Sequence, residues 1–248
     1  MRNIKLTIEY DGGRYDGWQR LGKDSGQTTI QGKIEEVLRK MTGEPDLTVD
    51  GSGRTDAGVH AYAQVANFHT NSTMKCYEIK HYLSRYLPRD IAVFDVQEVD
   101  ERFHSRLNAK SKKYVYRIAT GEVPCVFDRK YTYYCFDRLD IPAMKKAASY
   151  LVGKHDFKAF SSIRRTNKST VREIYDIDIY DDGKEIQITF HGNGFLYNMV
   201  RIIVGTLLEV GKGERPASDM KRILESKDRE QAGPTAAAQG LFLLEVEY

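Results

Sequence analysis

The chain opens on a strict alternation. Ile4, Leu6, Ile8 and Tyr10 are separated by polar residues and the run stops at Gly12-Gly13, the pattern of a half-buried strand ending in a turn. The period then changes to that of a helix. Ile30, Ile34, Val37, Leu38 and Met41 fall on one face, Thr28 and Gln31 stand at capping-box spacing, and Gly43 with Pro45 ends the run. Leu47 to Ser52 and Tyr62 to His69 are predicted as strands, separated by a polar, glycine-rich segment. A second helical stripe of Ile79, Tyr82, Leu83 and Tyr86 stops before Pro88, and Ile91 to Val99 supplies a fourth strand. The first half reads β-α-β-β-α-β.

The second half repeats that order. Lys113 to Thr120 is predicted as strand and Ile141 to Leu151 as helix, followed by strands Val171 to Tyr180 and Glu185 to His191 around the turn Asp181-Asp182-Gly183. Leu196, Val200, Ile203, Val204 and Leu207 form an apolar helical stripe ending near Gly211. A short helix around Ile223 follows, and Leu241 to Tyr248 closes the half as a strand. This predicts an α+β fold of two ferredoxin-like halves, residues 1–104 and 105–248. Each would be an antiparallel sheet with helices on one face, with a cleft between the halves where a ligand would bind.

Composition narrows the class. At 248 residues with 41% hydrophobic content the chain can bury sizeable cores and is not a disordered one. It lacks any run of 18 apolar residues, and Met1-Arg2-Asn3-Ile4-Lys5 leads into a charged strand, so neither a membrane span nor a signal segment is expected. Cys76, Cys125 and Cys135 are widely spaced and outside any CxxC, which argues against a disulfide framework or a zinc site and for the reducing cytoplasm. A net charge of +3 does not announce a nucleic acid; clustering of the cations decides that.

Three segments carry chemistry beyond packing. In Gly53-Arg54-Thr55-Asp56-Ala57-Gly58-Val59-His60-Ala61 the glycines allow tight turns around one carboxylate, Asp56, beside the Arg54 guanidinium. Such an aspartate can serve as nucleophile or base, or merely cap a turn. Ser111 to Arg117 interleaves lysines with Tyr114 and Tyr116 on a predicted strand, after Arg102, His104, Arg106 and Lys110. This suits stacking on unpaired bases beside phosphate-binding cations, and equally an ordinary sheet with tyrosines inward. In Gly194 to Gly205 a nearly apolar helix carries one charge, Arg201, which is costly to bury without a partner, most naturally a carboxylate, unless it reaches water.

These residues resemble a known family. GRTDAGVHA, the Lys-x-Tyr-x-Tyr strand, Gly194-Phe195-Leu196-Tyr197 with Val200-Arg201, and Gly240-Leu241 before a terminal strand are similar to those of the TruA-type tRNA pseudouridine synthases, and the likeness runs from Tyr10-Asp11-Gly12 and Gly17-Trp18-Gln19 to Val246-Glu247-Tyr248. It implies an isomerase that breaks the N1 glycosidic bond of uridine, turns the uracil and rejoins it through C5, without metal or cofactor. Asp56 would be the catalytic aspartate and Arg201 the basic residue paired with it. Tyr114 would lie against the target base and Leu241 would pack beside the uracil pocket. The resemblance further implies tRNA as substrate, uridines 38 to 40 of the anticodon stem-loop as targets, and a homodimer.

The chemistry of the residues agrees with those roles. Glycosidic cleavage develops positive charge at ribose C1′, which one carboxylate can stabilise or attack. A hydrolytic glycosidase would want a second carboxylate across the bond, and none accompanies Asp56. A uridine in a stem must be extruded to reach it. Arg54, Arg102, Arg106, Lys110, Lys112, Arg164, Arg165 and Lys168 are candidate phosphate contacts. Two alternatives to the main reading are a paralogous synthase acting on another RNA and a catalytically silent RNA-binding protein. His60 is expected to be structural or RNA-contacting, Phe157 and Phe160 to pack the core, and Trp18 to anchor a loop. Two departures from the family pattern stand out: the stretch from Arg20 to Thr29, and Ala237 where proline is common.

Overall fold

The computed structural model describes residues 1–19, 28–163 and 169–248. It is an α+β protein whose contacts divide it into two compact units, Met1–Lys110 with Phe242–Tyr248, and Ser111–Leu241.

In the first unit, strand β1 (Arg2–Tyr10) lies between β4 (Ile91–Val99) and β3 (His60–Thr70), antiparallel to both. The predicted alternation is what makes this possible: Ile4, Leu6 and Ile8 are fully buried. Helix α1 (Ile30–Thr42) buries Ile30, Ile34, Val37 and Leu38, and α2 (Cys76–Tyr86) buries Ile79 and Leu83. The capping box expected at Thr28 and Gln31 is one residue out of register. Thr29 is the N-cap, accepting from the Gly32 amide, while the Gln31 side chain donates to the Val49 carbonyl and Glu35. Of the strand expected over residues 47–52 only β2 (Asp50–Gly51) forms, paired with Asn67 and Ala66 of β3.

The second unit holds β5 (Ser111–Ala119), β7 (Gly153–Asp156), β8 (Val171–Asp181) and β9 (Glu185–Gly192) in the antiparallel order β5-β9-β8-β7, with β6 (Tyr133–Tyr134) running parallel to β5. Helices α3 (Ile141–Ser149) and α4 (Met199–Gly211) pack together, and α5 (Asp219–Ser226) buries Met220, Ile223 and Leu224. Phe157 and Phe160 are wholly buried, as expected of core residues.

Within the expected α+β class, the closing strand and the boundary between the units also differ from expectation. The closing strand, β10 (Leu241–Glu247), pairs with β3 of the first unit, in parallel, with Phe242 opposite His60 and Leu243 opposite Ala61. Hydrophobic alternation marks a segment as strand but carries no information about a partner so distant in sequence. The division between the units also falls at 110/111, not after residue 104. Ser105 is fully buried in the first unit, its amide on Asn67 Oδ1 and its hydroxyl on the Asp50 carbonyl, while the Lys110 amide donates to the Glu247 carbonyl.

Candidate active site

In the first unit the segment carrying Asp56 is held by the main chain. The Val59 amide donates to the Asp56 carbonyl at 3.1 Å, closing a turn in which Gly58 takes φ +78°, a value that an L side chain rarely adopts. Residues 15–18 run alongside: the Gly58 amide donates to the Tyr15 carbonyl at 3.3 Å and the Trp18 amide to the Thr55 carbonyl at 3.1 Å. Gly17 makes that approach possible. It has φ +93°, and a Cβ there would stand 2.6 Å from the Thr55 carbonyl oxygen.

Side chains complete the support beneath the turn. The Tyr10 hydroxyl and Thr55 Oγ1 are 2.8 Å apart, and burial raises the phenol's pKa well above its ordinary value, so it stays protonated and able to donate. Ser52 donates to Gln64 Oε1 at 2.6 Å, and Gln64 Nε2 donates to the Gly53 carbonyl. Trp18 is buried and its indole lies against Gly51, the loop anchor expected of it. The result is a rigid turn with Asp56 half-buried and Arg54 exposed.

His60, at the end of this segment, is structural. Its Nδ1 accepts the Gly12 amide at 3.1 Å and its ring stacks on Phe242 with centroids 4.7 Å apart. Asp11 Oδ1 lies 3.1 Å from Nδ1 and also accepts the Gly13 amide.

Tyr114, Arg201 and Leu241 belong to the second unit. Tyr114 is buried on β5 opposite Phe190, with Phe195 edge-on to its ring at 5.2 Å. Helix α4 begins at Met199, three residues later than the apolar stripe suggested, because Asn198 adopts the left-handed conformation at φ +60°. Asn tolerates this better than most residues. Arg201 therefore sits in the first turn. Its Nε donates to the Ala236 carbonyl at 2.8 Å and its Nη1 to Asn198 Oδ1 at 3.1 Å, while the Ala236 amide returns a bond to the Arg201 carbonyl. These partners are a main-chain carbonyl and a side-chain amide, and no pattern in the sequence pointed to either.

The segment before Leu241 is fastened to β5 as well. The Tyr116 hydroxyl donates to the Ala237 carbonyl at 2.9 Å, and a Cβ on Gly240 would meet the Arg117 carbonyl and the Tyr116 ring. Leu241 is buried at its end. Tyr114, Arg201 and Leu241 thus stand on three stretches of chain tied together within one unit, and Asp56 and Arg54 on one loop of the other.

Ala237 has φ −57°, inside proline's range, and among the described residues its amide donates to nothing. Ala237→Pro is expected to raise the melting temperature by about 1–4 °C, through a stiffer unfolded chain, without disturbing Arg201. Calorimetry checks this, and a lower melting temperature would refute it.

Of the other candidate phosphate contacts, Arg102, Arg106 and Lys110 are exposed on the first unit and Lys112 is half-buried on β5. Arg164, Arg165 and Lys168, and the stretch 20–27, lie outside the described residues. Among the described residues no group of three or more His, Cys, Asp or Glu could hold a metal ion, and no helix is long and apolar enough to cross a membrane.

An α+β scaffold with a loop displaying one aspartate, and a second unit anchoring an arginine on the Ala236 carbonyl and Asn198, suits an enzyme working through a carboxylate. The chain belongs to the tRNA pseudouridine synthase family, whose sequence profile matches residues 6–108 and 147–248. It is 48% identical over its full length to the whole of a tRNA pseudouridine synthase A 2 from Bacillus anthracis. A tRNA pseudouridine synthase A from Bacillus sp. strain KSM-64 shares 52% identity over 98% of both chains, and a tRNA pseudouridine synthase A 1 from Clostridium tetani shares 50% over all of both.

Proposed function

We propose that the protein isomerises uridine to pseudouridine in tRNA, at positions 38 to 40 of the anticodon stem-loop, as a cytoplasmic homodimer. The observation that carries the reading is the Gly53–Ala61 loop: one half-buried carboxylate, Asp56, held by main-chain bonds in a chain that matches the family profile over both halves.

In this reading Asp56 acts on the ribose of an extruded uridine and Arg201 pairs with it. The pairing keeps Asp56 ionised and directed while the carboxylate offsets the cost of the half-buried guanidinium. Two routes use the same carboxylate, attack on C1′ or removal of the 2′ hydrogen, and both detach uracil as an anion that can turn and rejoin through C5. Tyr114 lies against the base, with its hydroxyl able to take or relay the C5 proton, and Leu241 closes the apolar side of the pocket. Arg54 steers the backbone near the target. The residues supply all of these steps from the chain itself.

The test is tritium release from unmodified tRNA labelled at uracil C5, with the product site mapped on the RNA. Release mapped to residues 38 to 40 is the expected result. Release mapped elsewhere would identify a paralogue with another target site, and tight binding without release would identify a silent RNA-binding protein.

A further inference from the structure

Between β1 and α1, Arg14 is both exposed and held. Its side chain keeps 69% of its accessible surface, yet its Nε donates to Asp90 Oδ2 at 2.5 Å and its guanidinium carbon lies 5.6 Å from the centre of the Tyr15 ring. The other oxygen of Asp90 accepts the Tyr15 hydroxyl at 2.7 Å, and the Asp90 carbonyl accepts the Asp11 amide at 3.0 Å. Asp90 is itself only 18% exposed. A largely covered carboxylate thus uses both oxygens to fix two successive side chains, Arg14 outward and Tyr15 inward.

Stability does not account for this bracket. An ion pair this open to water contributes little to folding, and an exposed arginine ordinarily keeps its rotamer freedom. What the bracket does achieve is a guanidinium pre-set in one direction, with the carboxylate behind it and the outer edge facing solvent. Its place in the chain is also specific. The carbonyl of Tyr15, the next residue, accepts the Gly58 amide, and the Trp18 amide donates to the Thr55 carbonyl, so the segment Arg14 stands on is the one bonded to both sides of Asp56. Arg54 is a second exposed cation, on the Asp56 loop itself.

We propose that Arg14, positioned by Asp90, is a phosphate contact for the RNA strand that delivers the target nucleotide to the Asp56 loop. A pre-oriented guanidinium matches a phosphodiester by charge and by its fork of donors, and it fixes the register of a strand without reading its bases. The inference rests on the RNA-modifying reading above and adds to it a binding residue and the residue that orients it.

The experiment uses the full chain and unmodified tRNA transcript. For Arg14→Gln, KM is expected to rise about five- to tenfold at ~0.15 M salt with kcat within about twofold, and the slope of log K against log salt to become shallower by about one. Its melting temperature should not change. Asp90→Asn should raise KM in the same direction, and the double variant should be no worse than Arg14→Gln alone, since Asp90 acts through Arg14. An unchanged salt slope in Arg14→Gln overturns the contact. Additive losses in the double variant overturn the positioning role of Asp90. Failure of the isomerase reading shows separately, as absent tritium release by the wild type, and leaves the salt slope of tRNA binding measurable.

Discussion

Asp56→Asn is expected to cut turnover by about 10⁴-fold or more while tRNA affinity changes by no more than about threefold, because the substitution removes the carboxylate's charge and nucleophilicity and little else. The turn that carries it is closed by main-chain bonds: the Asp56 carbonyl to Val59, Thr55 to Trp18, and Gly58 to Tyr15. Asparagine has the same shape, so the loop should keep its form and the cations around it should still bind phosphate. Single-turnover tritium release and filter binding on the same preparation separate the two quantities. Turnover near that of the wild type would remove Asp56 from the chemistry. A parallel collapse of binding and melting temperature would mean that the carboxylate serves the loop and not the reaction.

Local features of this chain were legible in its sequence, and non-local ones were not. The alternation of Ile4, Leu6 and Ile8 and the stripe of Ile30, Ile34 and Leu38 marked a strand and a helix because each buries one face, and burial leaves a period. The strand β7 was missed for the converse reason: Lys154, His155 and Asp156 sit at a sheet edge with no apolar face to show. The partner of β10 was hidden because pairing across so long a separation is settled by packing, not by pattern. The loop around Asp56 was visible through its glycines, which φ +78° at Gly58 requires, whereas its supports, Tyr10 against Thr55 and Gln64 against Ser52, use residues ordinary in any strand. Asn198 could have been suspected at a helix start, since asparagine is among the few residues at ease at positive φ, but that it turns its amide to Arg201 depends on the fold.

The second large effect is expected at Arg201. Arg201→Met should lower turnover by about 10²–10³-fold, the scale of removing one pre-set electrostatic partner, and should also lower the melting temperature. The two losses have different origins. Methionine fills the space of the arginine stem, but it cannot donate to the Ala236 carbonyl or to Asn198 Oδ1, and a buried acceptor left unpaired costs about 1–3 kcal/mol. Activity is therefore to be measured well below the melting temperature of the variant, where its folded fraction matches the wild type. Arg201→Lys separates charge from geometry. Lysine keeps a positive charge for Asp56 but lacks the fork that reaches Ala236 and Asn198 together. Partial recovery of turnover in Arg201→Lys, with a melting temperature still depressed, is the result expected if the guanidinium has two duties: holding the segment before Leu241 and holding Asp56 ionised. A normal rate in Arg201→Met would break the proposed pairing and leave Arg201 a purely structural brace for the 232–241 segment.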